Sequence, residues 1–140
     1  MKKLILFLSV FTLVFSSCGN DDDSSSQDQI IGTWTFHKLF IDDIEQSLTS
    51  CQMQETFNFK SNGTVSYKYF EVIQGICELE ESNSGTWSND GNSIYTLTIE
   101  GNNSSEELTF VANTFYFEHS DAIDPLDPVF ATYKEVYIKN

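Results

Sequence analysis

From residue 30 to residue 140, apolar and polar side chains alternate in short runs, and each run ends in a turn sequence. A period of two places every second side chain on one face of an extended strand, whereas a helix needs apolar residues three and four apart. The alternation therefore confines this segment to strands joined by tight turns. Trp34 and Phe36 alternate with threonines, and the apolar parity then shifts by one at His37-Lys38 to Leu39 and Ile41. Such a shift predicts a β-bulge in a bent first strand. A second strand starts near Met53 and ends at Phe57 and Phe59, before the turn Ser61-Asn62-Gly63. Val65, Tyr67 and Tyr69 alternate on the third, which changes parity into Phe70 and Val72. Gly85-Thr86-Trp87-Ser88 predicts a short fourth strand, and Asn89-Asp90-Gly91-Asn92 a turn. Tyr95, Leu97 and Ile99 share one face of the fifth, which Gly101-Asn102-Asn103 ends. The sixth carries Leu108 and Phe110, Ala112-Asn113 turns the chain, Phe115 and Phe117 face one way on the seventh, and Tyr133 to Ile138 make the eighth. These 111 residues suffice for one core and are too few for two. The expected fold is all-β: an eight-stranded antiparallel up-and-down barrel, whose interior admits packed side chains or one small ligand.

Ahead of this domain stand Lys2-Lys3, an apolar run from Leu4 to Phe15, Ser16-Ser17 and Cys18. A charged start, an apolar middle and small residues before a cut are the parts of a signal peptide, so residues 1–17 are expected to be removed. The run is also shorter than the roughly 20 residues a transmembrane helix needs. Val14-Phe15-Ser16-Ser17-Cys18 resembles a lipobox, the processing site of bacterial lipoproteins, with Phe15 at the place where Leu is commoner. That resemblance implies acyl chains on Cys18, and two or three chains anchor a protein stably. Residues 18–29 contain Asp21-Asp22-Asp23 and Ser24-Ser25-Ser26 and lack a large apolar side chain after Cys18, which predicts a flexible acidic tether. An acidic cluster just past a lipidated cysteine resembles an export signal for the outer face of the outer membrane; a solvated spacer is the plainer alternative. The expected location is therefore the outer membrane, lipid-anchored, at the cell surface.

Assigning Cys18 to lipid leaves Cys51 and Cys77, and an exported chain meets oxidising conditions, so these two are expected to pair. A catalytic thiol would want a histidine and an electropositive setting, whereas Cys77 is followed by Glu78, Glu80 and Glu81. The formal net charge is −14, loss of Lys2 and Lys3 makes it −16, and arginine is absent. Nucleic acid is excluded as a partner, because phosphate recognition depends on basic side chains.

No catalytic set is expected: the histidines are His37 and His119, with neither a G-x-S-x-G elbow nor an H-E-x-x-H pair. Glu80-Glu81 and Glu106-Glu107 are neighbours that point to opposite faces of a strand. Glu55 differs, since it is in register with Met53, Phe57 and Phe59 and so points inward or lies at the rim. The loop Ser120 to Pro128 holds both prolines and three acids but lacks the order of a calcium loop, so neither a metal nor a cofactor is expected. A rigid mouth loop or lid is the better reading of that segment.

Ile31-Gly32-Thr33-Trp34 resembles the G-x-W signature of lipocalin-like barrels. Cys51, the stretch Phe57 to Thr64, Cys77, Ser84-Gly85-Thr86-Trp87 and Asp90-Gly91-Asn92 follow in an order similar to the small lipocalin-like domains of bacterial surface lipoproteins. The resemblance implies that Gly32 and Trp34 close the barrel end, with the tryptophan across the base. The arginine that larger lipocalins stack on this tryptophan is missing; Lys134 and Lys139 are the candidate replacements. It further implies a membrane-anchored protein that binds a small hydrophobic molecule, with Phe57, Tyr67, Leu97, Phe110, Phe115 and Phe117 along the lumen by alternation. The alternative is a surface structural or interaction lipoprotein whose own aromatic side chains fill the barrel. An enzyme is the least favoured class.

Overall fold

The computed structural model describes residues 27–123 and 129–140. The signal peptide, Cys18 and most of the tether at 1–26, and the proline loop at 124–128, lie outside the described residues. The described residues form ten strands: β1 Gly32–Ile41, β2 Ile44–Gln46, β3 Thr56–Phe59, β4 Thr64–Ile73, β5 Ile76–Gly91, β6 Ile94–Ile99, β7 Asn102–Glu107, β8 Thr109–Val111, β9 Thr114–Ala122 and β10 Phe130–Lys139. They make one antiparallel sheet in the order β7-β6-β5-β4-β3-β1-β10-β9-β8, with β2 paired to β1. The hydrogen-bonded path is open, yet its two edges, β7 and β8, are consecutive in the chain and separated only by Leu108.

The count of ten corrects the expected eight for two physical reasons. Asp42 and Asp43 both adopt positive φ (48° and 65°), which a two-residue hairpin requires, and this turn adds the short β2. The sixth strand starts earlier than its apolar residues suggest, because Asn102–Glu107 pairs with β6 although its sequence is polar throughout. A similar masking hides the length of β5, expected over Gly85–Ser88 and found over 16 residues. Its first half is acidic and polar, so ladder pairing with β4 forms it without an apolar stripe. Met53 lies in a 3-10 turn, Gln52–Gln54, rather than at a strand start. The turn placed at Asn89-Asp90-Gly91-Asn92 falls at Asn92 and Ser93, and that placed at Gly101-Asn102-Asn103 falls at Glu100 and Gly101.

Each parity shift coincides with a register shift: in β1 the extra residue is His37, between Phe36 and Lys38 against β10, whereas beside Tyr69 and Phe70 of β4 the extra residue is Glu80 of the partner strand β5. The Ser61-Asn62-Gly63 and Ala112-Asn113 turns fall where expected, with Gly63 at φ 80° and Ala112 at φ 53°. Cys51 and Cys77 form a disulfide across 26 residues, which stabilises the fold by about 3 to 4 kcal/mol through the loop it removes from the unfolded chain.

Antiparallel pairing sorts the turns into two ends. Turns 60–63, 92–93 and 112–113 lie at the end where β1 begins and β10 finishes; turns 42–43, 74–75 and 100–101 lie at the other. The core is densest toward the first end, where Ile30, Trp34, Phe59, Val65, Tyr95, Leu108 and Phe115 are buried together.

Candidate functional site

Trp34 is 2 % exposed and forms the floor of the interior. Its ring meets Phe115 edge-on at 4.8 Å and Phe110 at 6.2 Å, and its Nε1–H donates to the carbonyl of Ile30 at 2.6 Å. Lys139 is the residue that replaces the missing arginine. Its Nζ lies 5.0 Å from the Trp34 ring centre and donates to the carbonyl of Gln29 at 3.2 Å. Lys134 instead sits 3.8 Å over the Tyr116 ring and 3.4 Å from Glu118. Gly32, at φ 140°, leaves room for this packing, since a Cβ there would stand 2.7 Å from Cε of Lys139. The incoming chain is pinned at the same end: Asp28 accepts from Tyr95 Oη at 2.9 Å and from Asn89 Nδ2 at 2.7 Å. Ordered packing thus begins two residues inside the segment expected to be tether.

Above this floor lies a cavity of about 410 Å³. Phe57, Tyr67, Leu97, Phe115 and Phe117, all expected along the lumen, line it. Period-2 alternation brings them together because Phe57 pairs with Tyr67 across β3 and β4, while Phe115 and Phe117 follow each other at two-residue spacing on β9. Phe110 is the exception and a correction. It points inward but lies lower, against Trp34, Tyr95 and Phe115, and lines a second cavity of about 340 Å³ with Gln29, Ala112 and Lys139. Phe59, Ile99 and Leu108 complete the apolar wall of the larger cavity, and Glu81, Asn83, Glu100, Asn102, Asn103, Ser104 and Glu106 form its polar part.

Beside Tyr67 the interior turns acidic. Glu55 is only 6 % exposed, and its Oε2 accepts from the Tyr67 hydroxyl at 3.5 Å. On β10 the Tyr137 hydroxyl donates to Oε2 of Glu135 at 3.0 Å, and Tyr137 stacks on Phe115 at 5.2 Å. Burial, reinforced by the negative charge of Glu135, pushes the Glu55 carboxyl up to about 7, while the Tyr67 hydrogen bond opposes the shift. Burial also raises Glu135, against the Tyr137 hydrogen bond and the nearby His119. Glu135 and Tyr137 went unrecognised in the sequence, although Tyr133, Glu135 and Tyr137 keep strict two-residue spacing; an acid in that register reads as surface. No group of three or more His, Cys, Asp or Glu among the described residues is arranged to hold a metal ion.

Because the native state holds the Glu55 proton more tightly than the unfolded chain, this group's contribution to stability is full below about pH 4.5 and is lost as pH rises through about 7. Glu55→Gln is therefore expected to raise stability at pH 8 by about 1 to 3 kcal/mol and to change it little at pH 4. Urea midpoints of both proteins at the two pH values check this. An equal shift at both would assign the effect to packing rather than charge.

An all-β antiparallel sheet with a buried tryptophan and an aromatic cavity defines the class: small domains in which one sheet carries both the core and the site. The chain belongs to the lipocalin-like domain family, whose profile matches residues 30–123, from Ile30 through the end of β9. No curated protein shows a significant match to the sequence.

Proposed function

We propose that this chain is a membrane-anchored lipocalin-like lipoprotein that binds a small hydrophobic molecule in the cavity above Trp34. The observation that carries the proposal is the cavity itself, whose aromatic and aliphatic walls are left unfilled by the nine Phe of residues 30–140. A barrel filled by its own side chains would leave no such volume, which places the structural or interaction lipoprotein second. Closure of the sheet into an eight-stranded up-and-down barrel is supported by the continuity of β7 and β8 through Leu108: one half of this run pairs with β6, the other with β9. Counted as one strand, and with β2 taken as an appendage of β1, the run brings the number to eight.

Anchoring through Cys18 to the outer membrane, at the cell surface, is supported by the signal-peptide and lipobox sequence. Asp28 and Ile30 lie at the Trp34 end, and the Glu100 turn at the cavity's mouth lies at the opposite end. The mouth would then open away from the anchor. A binding role is favoured over catalysis, since the acids and tyrosines of the interior adjoin, among the described residues, no nucleophile activated by a base.

Titration of the lipid-free protein with N-phenyl-1-naphthylamine, an uncharged apolar fluorophore, is expected to give saturable enhancement with one site. Leu97→Trp, which fills the cavity, is expected to weaken it at least about tenfold. Absence of saturable binding, together with no apolar molecule recovered from the native protein by mass spectrometry, would leave the structural lipoprotein as the function.

A further inference from the structure

The larger cavity has apolar walls and three glutamates in its lining, and it has no basic residue there. Glu81 comes from β5, Glu100 from the β6–β7 turn and Glu106 from β7, where it stands opposite Tyr95, so three separate elements deliver a carboxylate to the lining of one cavity, from its mouth at Glu100 down to the level of Tyr95. The lysines of the described residues are engaged or placed elsewhere. Lys38 pairs with Glu45, Lys134 with Glu118 and Lys139 with Trp34; Lys60 stands at the turn of the opposite end, and Lys68 is exposed on the face away from Tyr67. Beside the cavity-lining Tyr67 lies a further carboxylate: Glu55 is more than nine-tenths buried, and its one side-chain hydrogen bond among the described residues is the 3.5 Å contact with the Tyr67 hydroxyl. A buried carboxylate without a cation is an uncommon arrangement, and here its partner Tyr67 lines the cavity.

An anionic amphiphile such as a fatty acid would bring its carboxylate among like charges. An amphiphile ending in an ammonium would place its chain on Phe57, Leu97, Phe115 and Phe117 and its charge among the glutamates. We propose that the cavity selects ligands with an apolar body and a positively charged amine end, held by the carboxylates of its lining, Glu81, Glu100 and Glu106. This rests on the binding function proposed above and names the chemical class of its ligand.

Three ten-carbon compounds that differ only in their end group, decylammonium, decan-1-ol and decanoate, are compared at pH 7.5 for displacement of N-phenyl-1-naphthylamine from the wild-type protein. The ammonium is expected to displace at about tenfold lower concentration than the alcohol, and decanoate to be the weakest, as three partly exposed charges working together would give. Raising sodium chloride to about 0.5 M is expected to shrink the ammonium's advantage by screening. The variant E81Q/E100Q/E106Q, confirmed as folded by circular dichroism, is expected to reduce it to less than about twofold. Equal displacement by all three compounds overturns the charge selectivity while keeping an apolar binding site. Preference for decanoate overturns it as well. Failure of the fluorophore to bind at all removes the binding function together with the selectivity.

Discussion

Trp34→Ala is expected to lower the stability of the domain by about 3 to 5 kcal/mol, which is a large part of what a domain of this size possesses. Three losses combine. The buried indole leaves a cavity against Phe115 and Phe110, whose rings sit 4.8 and 6.2 Å from it. The carbonyl of Ile30, a residue with no exposed surface, loses its 2.6 Å donor, at a cost of about 1 to 3 kcal/mol included in that total. Lys139, whose Nζ stands over the indole, keeps only its contact with Gln29. Trp34→Phe separates these contributions, since it retains a ring but not the donor; it is expected to cost about half as much. Urea denaturation followed by far-ultraviolet circular dichroism measures both. A cost below about 1 kcal/mol for the alanine variant would show that the floor of the interior is held by the surrounding strands and not by the tryptophan. Because Phe115, which packs on Trp34, lines the larger apolar cavity, the alanine variant is also expected to bind an apolar fluorophore more weakly wherever it remains folded.

The difference between what was legible in the sequence and what was not follows from what alternation encodes. Two-residue spacing states the face of a strand on which a side chain lies, so Phe57, Tyr67, Leu97, Phe115 and Phe117 could all be placed inward, and all line the cavity. It does not state height along the interior. Phe110 has the right face, but its ring packs against Trp34, Tyr95 and Phe115 and lines the second cavity instead. Strands without an apolar face are invisible to the same criterion, which is why Asn102–Glu107 and the first half of Ile76–Gly91 were not anticipated: neighbouring strands impose those elements. The bulges were legible for the opposite reason. A one-residue shift in apolar parity has few physical causes besides an extra residue in that strand of a ladder, and His37 of β1 is such a residue; beside the shift in β4 the extra residue is Glu80 of the partner strand β5. The buried acids mark a third limit. Glu55 was recognisable from its register with Phe57 and Phe59, whereas Glu135 was not, because its burial depends on Tyr137 and on the partner strand β9 rather than on local pattern.

Gly85→Ala is expected to cost about 3 kcal/mol or more, although it adds a single methyl group. Gly85 lies within β5, paired with Val65 of β4 on one side and with Ile99 of β6 on the other. A Cβ at this position would collide with the carbonyl oxygen of Thr98, and it would stand 2.9 Å from that carbonyl carbon and 3.1 Å from Cα of Ile99. These are backbone atoms held in a ladder, so no side-chain rotation can relieve the contact; β6 has to move as a unit. Glycine in a strand interior is otherwise unfavourable, and here it is required because another backbone approaches where a side chain would be. The displaced strand carries Leu97 and Ile99, so the wall of the cavity shifts with it.

Gly75→Ala provides the contrast that identifies the mechanism. A Cβ there meets nothing within 4 Å, and the substitution strains only a positive φ of 82° in the turn between β4 and β5, for about 1 kcal/mol. Equilibrium urea unfolding of the two variants is expected to place Gly85→Ala well below Gly75→Ala. If the order were reversed, the close approach of β6 to β5 would not be the constraint that requires glycine at position 85, and the position of the cavity wall formed by β6 would not depend on it.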